Sequence, residues 1–342
     1  EEGVYFVVFD YMEEKVGIYA AKASVRIAEA LVSGAAYDLG EDIQQMREIR
    51  EDERLGPSTG SIVEEAQARG IPWIRLNRHS LVMLGYGVNQ KRIQATVTSQ
   101  TSSIAVEIAC DKEDTKNLLE ASNIPVPRGR IIYDEEDLKK AIDSIGYPVV
   151  LKPINGNHGR GATINVKDWD DAVEALAAAK RISRAVIVEK YITGYDHRIL
   201  LINYRFVAAA KRTPAMVVGD GKSTIKELID VVNSDPRRGY GHEKVLTAIK
   251  VDEMTLNILK EKQLELDSVL PKGQELHLKA TANLSTGGTS TDVTDLVHPY
   301  NVFMCERIAR IVGLDICGID IMTNDISRPL DEDGGAVLEV NA

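Results

Sequence analysis

Three stretches carry residues whose types and spacing could do chemistry. The first is Val150-Leu151-Lys152-Pro153, followed by Gly156, Asn157, His158, Gly159, Arg160 and Gly161. A lysine ending an apolar strand beside a glycine-rich loop offers one fixed cation and exposed backbone N–H groups, which is what an oligophosphate needs. The spacing is not a dinucleotide fingerprint, because residues 162–166 read as a strand rather than a helix. An ordinary glycine hairpin with a surface lysine would look the same. The second stretch ends the chain. Asp320 sits among apolar neighbours, and Glu339 and Asn341 stand two apart on an alternating segment. Both should therefore point to one face while Leu338 and Val340 point to the other. Three oxygen ligands from adjacent strands suit Mg²⁺, although acids on a strand face are also commonly just solvated. The third stretch runs from Glu189, Lys190 and Ile192 through Gly194 to Asp196. It is either an edge strand and turn, or a hinge whose backbone meets an adenine edge with an acid placed for the ribose. A fourth stretch, Gly219-Asp220-Gly221-Lys222-Ser223-Thr224, imitates the tail of a Walker A loop. Met216 stands where that motif needs glycine, so a turn and helix cap is the better reading.

The elements that must position these residues alternate between α and β. Residues 4–11 read as a strand from their β-branched and aromatic content, and residues 16–32 as a helix ending at Gly34. Helices at 42–55 and 61–69 and strands at 71–76, 81–84 and 91–99 complete an expected N-terminal α/β domain, residues 1–105, without a catalytic constellation. From Asp111 the rhythm changes: Asp111, Asp134 and Asp168 each stand where a helix N-cap belongs. Strands are expected at 130–133, 148–152, 162–166 and 185–190, making a lobe over residues 106–193. Residues 194–342 are richer in strands, at 198–202, 206–211, 315–322 and 336–341. Helices near 224–232, 252–263 and 299–312 separate them.

The 342 residues are 44% hydrophobic and 27% charged, an ordinary globular composition. That length calls for two or three domains or lobes. Lys+Arg 41 against Asp+Glu 52 gives −11, which argues against a general nucleic-acid or anionic-membrane partner. The three cysteines, Cys110, Cys305 and Cys317, are too scattered for a disulfide framework or zinc site, so a reducing, cytoplasmic setting is expected. The alternation over 338–342 reads as a strand still in progress, and we expect the chain to be part of a longer protein.

Taken in order, these features resemble the ATP-grasp superfamily, in which ATP lies between two α+β lobes and a carboxylate is joined to an amine through an acyl phosphate. Longer stretches are similar to cyanophycin synthetases: Leu84-Gly85-Tyr86-Gly87, Asn89-Gln90-Lys91-Arg92-Ile93-Gln94-Ala95-Thr96, and Thr281-Ala282-Asn283-Leu284-Ser285-Thr286-Gly287-Gly288. That resemblance implies an N-terminal α/β domain followed by a two-lobed ATP-grasp fold. It also implies ATP and Mg²⁺, with aspartate, arginine and a cyanophycin primer as partners, and a homo-oligomer, dimer or tetramer. Aspartate would be added here, and arginine by a Mur-ligase-like domain beyond this chain. Lys112, Lys152 and the glycine loop with His158 would meet the ATP phosphates, Glu189, Lys190 and Ile192 the adenine, and Asp196 the ribose. Asp320, Glu339 and Asn341 would hold Mg²⁺. Arg212 would steady the transferring phosphoryl group, with Lys152 and His158 beside it in the chemistry. Arg212, Asn283, Ser285, Thr286, Gly287 and Gly288 would line the acceptor. Related sequences carry an arginine just upstream of that loop; Lys279 here keeps the charge but not the bidentate fork. Another ATP-grasp ligase, glutathione-synthetase-like or joining β-aspartyl-arginine units, is the first rival. A non-catalytic ATP-binding module is the second.

Overall fold

The computed structural model describes residues 3, 6–154, 161–239 and 244–342. It divides into two compact units, Glu1–Ser99 and Gln100–Ala342. Among the described residues no helix is long and apolar enough to cross a membrane.

In the first unit, α1 (Glu14–Ser33) ends at Gly34, whose left-handed backbone (φ 69°) closes the last turn onto the Ala30 carbonyl. It pairs with α2 (Leu39–Glu53) through a buried carboxylate: Asp42 accepts hydrogen bonds from Tyr19 at 2.8 Å, Arg26 at 2.6 Å and Tyr37. Next, α3 (Pro57–Ala68) covers an antiparallel meander of β1 (Trp73–Arg75), β2 (Leu81–Leu84), β3 (Lys91–Gln94) and β4 (Val97–Thr98), around Val63, Val82 and Ile93. The strand expected at 4–11 does not form over the described part: residues 6–11 are irregular and exposed. Their β-branched and aromatic residues have propensity, but a strand also needs a neighbour to take its hydrogen bonds. Residues 91–99 form a hairpin rather than one strand, turning at Ala95 (φ 54°).

The second unit opens with α4 (Ser103–Cys110) and α5 (Lys112–Ala121). Asp111 caps α5 by accepting from the Glu113 and Asp114 N–H groups. A four-stranded sheet follows, in the order β5-β8-β6-β7. Its parts in chain order are β5 (Gly129–Ile132), α6 (Glu135–Ile145), β6 (Val149–Pro153), β7 (Thr163–Val166), α7 (Trp169–Lys180) and β8 (Val186–Lys190). Asp134 and Asp168 cap the two helices, and Leu138, Ala141, Ala172 and Leu176 seal them onto Leu151 and Val188.

The chain then enters β9 (Tyr195–Ile202) and β10 (Arg205–Thr213) and detours through β11 (Met216–Val218), α8 (Ile225–Asn233), β12 (Arg238–Gly239), β13 (Leu246–Thr247), α9 (Glu253–Glu261) and β14 (Glu275–His277). The Walker-like stretch sits in this detour as a turn and a cap. Asp220 accepts from the Lys222 and Ser223 N–H groups, and Thr224 and Glu227 form a reciprocal capping box. Finally β15 (Thr289–Asp292), α10 (Pro299–Val312), β16 (Ile316–Thr323) and β17 (Ala336–Asn341) complete a five-stranded sheet ordered β15-β10-β9-β16-β17. One face packs on α10 through Ile199, Leu201, Ile319, Ile321, Met304 and Ile308.

Gly194, between β8 and β9, has φ 131°, and a Cβ there would lie 2.4 Å from the Thr323 carbonyl carbon. Both the angle and the close approach demand glycine. Gly194→Ala should cost more than about 1 kcal/mol, measured as a lowered urea midpoint; an unchanged midpoint would contradict this close packing.

Candidate active site

The polar face of the five-stranded sheet is built by strand alternation and register. Asp320 on β16 lies opposite Arg198 on β9 and Glu339 on β17, while Arg212 on β10 lies opposite Asp196 on β9. Residues directly opposite in a ladder share a face, so Asp196, Arg198, Arg212, Asp320 and Glu339 come together on the side away from the α10 core. Gly318 pairs with Asn341, whose side-chain amide donates weakly to the Gly318 carbonyl at 3.5 Å. One detail differs from the alternation expected of β17. A bulge between Asp320 and Ile321 puts two residues of β17 against one step of β16. Leu338 is the extra residue and turns outward, 40% exposed, while Val337 and Val340 stay in the core.

Charge on this face is tightly paired. Arg212 Nε and Nη2 both donate to Asp196 Oδ1, at 2.9 and 2.6 Å, and Nη2 also lies 3.1 Å from Asp320 Oδ2. Arg198 Nη2 donates to Asp320 Oδ2 at 3.3 Å, and its Nε is 2.6 Å from Asp320 Oδ1. That last contact is charge against charge without hydrogen-bond alignment, so Asp320 Oδ1 is a buried oxygen that accepts no hydrogen bond. Burial pushes the Asp320 carboxyl up, Arg198 and Arg212 pull it down, and Asp196 adds to the upward push. For Arg212, burial works against the guanidinium, yet Asp320 and Asp196 hold its pKa above the usual value. A buried acceptor with an unused lone pair, beside a second carboxylate and an amide, fits a hard divalent cation such as Mg²⁺.

A second charged group is buried under the four-stranded sheet. Glu189 on β8 accepts from Lys152 on β6 at 2.6 Å and from Lys116 on α5 at 3.1 Å. Gly129 across the ladder leaves room for it, since a Cβ there would lie 2.6 Å from Glu189 Cγ. Lys112, Lys116, Lys152, Glu189 and Glu339 line one pocket, which thus joins the lysine end of one sheet to the acidic end of the other.

The remaining expected residues fall as follows. The Lys190 side chain is spent on the Gly146 and Tyr147 carbonyls, at 3.2 and 2.7 Å, and its backbone N–H on the Arg128 carbonyl at 2.8 Å, so its own carbonyl is what it offers a ligand. The backbone N–H of Ile192 makes no hydrogen bond among the described residues. Gly161 is described, with φ 70°, whereas Gly156, Asn157, His158, Gly159 and Arg160 lie outside the described residues. Asn283, Ser285, Thr286, Gly287 and Gly288 form a tight turn in which the Gly288 N–H returns to the Asn283 carbonyl. Buried Arg238 donates to the Gly287 carbonyl at 2.9 Å, and a Cβ on Gly288 would lie 2.8 Å from the Thr213 carbonyl, directly after Arg212. Lys279 turns away from this loop and is buried against Asp252 and Thr255, at 2.5 and 2.9 Å, pinning the start of α9.

Residues 109–223 match the family model of the RimK-like ATP-grasp domain. The chain carries an ATP-grasp domain over these residues. It is 51% identical to the cyanophycin synthetase of Trichormus variabilis, over 99% of this chain and 38% of that protein. Likewise it is 51% identical to the cyanophycin synthetase of Synechocystis, over 99% of this chain and 40% of that one. The chain therefore spans about two-fifths of the length of these curated relatives. The bifunctional glutathione synthetase of Pasteurella multocida has a similar structure, with TM-score 0.64 and 29% identity over 88% of this chain and 42% of that one. Two charged residues that pair with carboxylates of this site, Lys116 and Arg198, escaped sequence reasoning. Lys116 follows Lys112 by one helical turn, a spacing that places both on one face of α5. Arg198 follows Asp196 by two on a strand, which by the same period-two rule that joined Glu339 to Asn341 puts it beside Asp320.

Burial pushes the Glu189 carboxyl up, but Lys152 and Lys116 outweigh it and hold the group below the usual carboxylate range. A depressed folded pKa stabilises the fold above the unfolded value, about 4.3, and that stability is lost as pH falls through the folded one. Glu189→Gln should therefore cost about 2 kcal/mol at pH 7, a gap that closes on acidification. Urea unfolding from pH 7 down to 3 reads this out, and a gap independent of pH would refute the ion-pair assignment.

Proposed function

We propose that this protein is an ATP-dependent carboxylate–amine ligase of cyanophycin synthesis, adding aspartate to the C-terminal carboxylate of a growing poly-aspartate chain. The observation that carries the reading is the shared pocket. Lys152 and Glu339 come from different sheets yet line one space, Asp320 stands on the strand adjoining Glu339, and Arg212 reaches Asp320 from β10. Similarity over 99% of this chain to the matching two-fifths of cyanophycin synthetases supports the substrate class: aspartate, arginine and a cyanophycin primer.

Lys112 and Lys152 would neutralise ATP phosphates, with the Ile192 N–H and the Lys190 backbone on the adenine edge and Asp196 near the ribose. Asp320, Glu339 and Asn341 would hold Mg²⁺, which supplies Lewis-acid stabilisation of phosphate charge when bound. A terminal carboxylate is a poor electrophile and is repelled by the γ-phosphate. Arg212 offsets that repulsion where charge accumulates on the transferred phosphoryl group. The carboxylate oxygen attacks the γ-phosphorus and ADP leaves. The aspartate amine then attacks the acyl carbon, loses a proton and expels phosphate. The turn from Asn283 to Gly288, fixed beside Arg212, would seat the acceptor carboxylate. A glutathione-type ligase is the second reading, favoured by the Pasteurella multocida fold match.

The test is phosphate release from ATP and Mg²⁺ with aspartate, arginine and a short aspartate–arginine primer. Primer- and aspartate-dependent release is expected, and Asp320→Ala should abolish it while circular dichroism stays unchanged. Release that needs glutathione precursors instead would favour the second reading. Near-normal turnover in Asp320→Ala would refute the metal assignment.

A further inference from the structure

Gly318 sits on the polar face of β16, one alternation from Asp320, with Leu200 on β9 opposite. The Arg198 guanidinium lies directly over it. A Cβ at position 318 would stand 2.6 Å from Arg198 Nη1, 3.5 Å from its Cδ and 3.6 Å from its Cζ. The three nearest heavy atoms to that point all belong to Arg198, so the arginine is what a side chain there would meet first. The same guanidinium is pressed side-on against Asp320, with Nε 2.6 Å from Oδ1 and Nη2 3.3 Å from Oδ2. Gly318 lacks a positive φ, so its backbone suits any residue. An alanine would meet only the movable end of a long side chain. The cost of substitution would fall on where the guanidinium lies rather than on the strand.

We propose that Gly318 is a positioning residue whose missing side chain seats Arg198 flat on the sheet and thereby fixes Asp320 for its ligand. This rests on the reading of Asp320 as a metal ligand in a phosphate-transfer site. With the seat filled, Arg198 must lift away, and Asp320 keeps only its contact with Arg212 at 3.1 Å. A carboxylate that has lost one of two partners is free to rotate, so its oxygens no longer present one fixed geometry.

A double-mutant cycle tests this with Gly318→Ala, Arg198→Ala and the pair. The readouts are thermal unfolding and the affinity for Mn²⁺ together with the β,γ-imido analogue of ATP, followed by electron paramagnetic resonance. Gly318→Ala should unfold like the wild type and bind Mn²⁺ roughly tenfold to a hundredfold more weakly, the range seen when the partner of a metal ligand is lost. In the Arg198→Ala background the same substitution should have no further effect. Wild-type affinity in Gly318→Ala would overturn the proposal. So would a loss that persists undiminished without Arg198, or a Gly318→Ala protein that fails to fold. Failure of the underlying reading looks different: Asp320→Ala would then bind Mn²⁺ as the wild type does.

Discussion

A carboxylate as deeply buried as Asp320 must be neutralised, and the five-stranded sheet is organised around how that is done. Removing an ion from water costs several kcal/mol even after relaxation. The sheet meets that cost with two guanidiniums, Arg198 from the neighbouring β9 and Arg212 from β10 one strand further on. Arg212 is in turn steadied by Asp196, so the charges form a chain rather than a pair. The geometry follows from register. A one-residue slip of β9 would send Asp196 and Arg198 into the Ile199–Leu201 side of the sheet and take Arg198 away from Asp320. The apolar residues on the opposite face therefore fix the polar site, because burying Ile199, Leu201, Ile319 and Ile321 permits only one alignment of these strands.

The four-stranded sheet solves the same problem with lysines. Glu189 is the only acid on the otherwise apolar run of β8, and Lys152 and Lys116 reach it from a strand and a helix. The two buried acids differ in outcome. At Glu189 the flanking cations prevail over burial, whereas at Asp320 burial prevails. At Asp320 burial weighs most, and a second carboxylate, Asp196, adds to it. An acid poised by burial and a like charge gains most from a further cation, while an acid already satisfied by two lysines serves to hold those lysines in place.

The strands that build the site were legible because period-two alternation is a local signal: the spacing of Glu339 and Asn341 alone puts both on one face of their strand. What that signal could not carry was the bulge. A bulge belongs to a pair of strands, and nothing in residues 336–341 by themselves says that Leu338 will be the extra residue. Arg198 and Lys116 were missed for a related reason. Each matters through a partner more than seventy positions away, Asp320 and Glu189 respectively, and a charged residue on a half-exposed strand or helix looks the same with or without one. Lys279 makes the point in reverse. Its position beside the Asn283 turn suggested a place in the acceptor site, but its ammonium is buried on Asp252 and Thr255, a choice decided by the packing of α9. Residues 6–11 misled because propensity was read without a neighbouring strand.

The pairing of these charges also bears on how a nucleotide would be held. Lys152, Arg198 and Arg212 each already contact a carboxylate of the site, so a phosphate arriving there competes with Glu189, Asp320 or Asp196 for them. Arginine suits that competition better than lysine, because its planar fork can keep one donor on a carboxylate while turning another to a phosphate oxygen. Arg212 already divides its donors in this way between Asp196 and Asp320. A divalent cation on Asp320 would act in the same direction at Arg212, taking over part of the charge that Arg212 offsets and leaving its donors to developing negative charge, while Arg198 keeps the carboxylate in place. On the function proposed above, the residues that keep the folded sheet electrically neutral would thus be the same ones that phosphoryl transfer draws on.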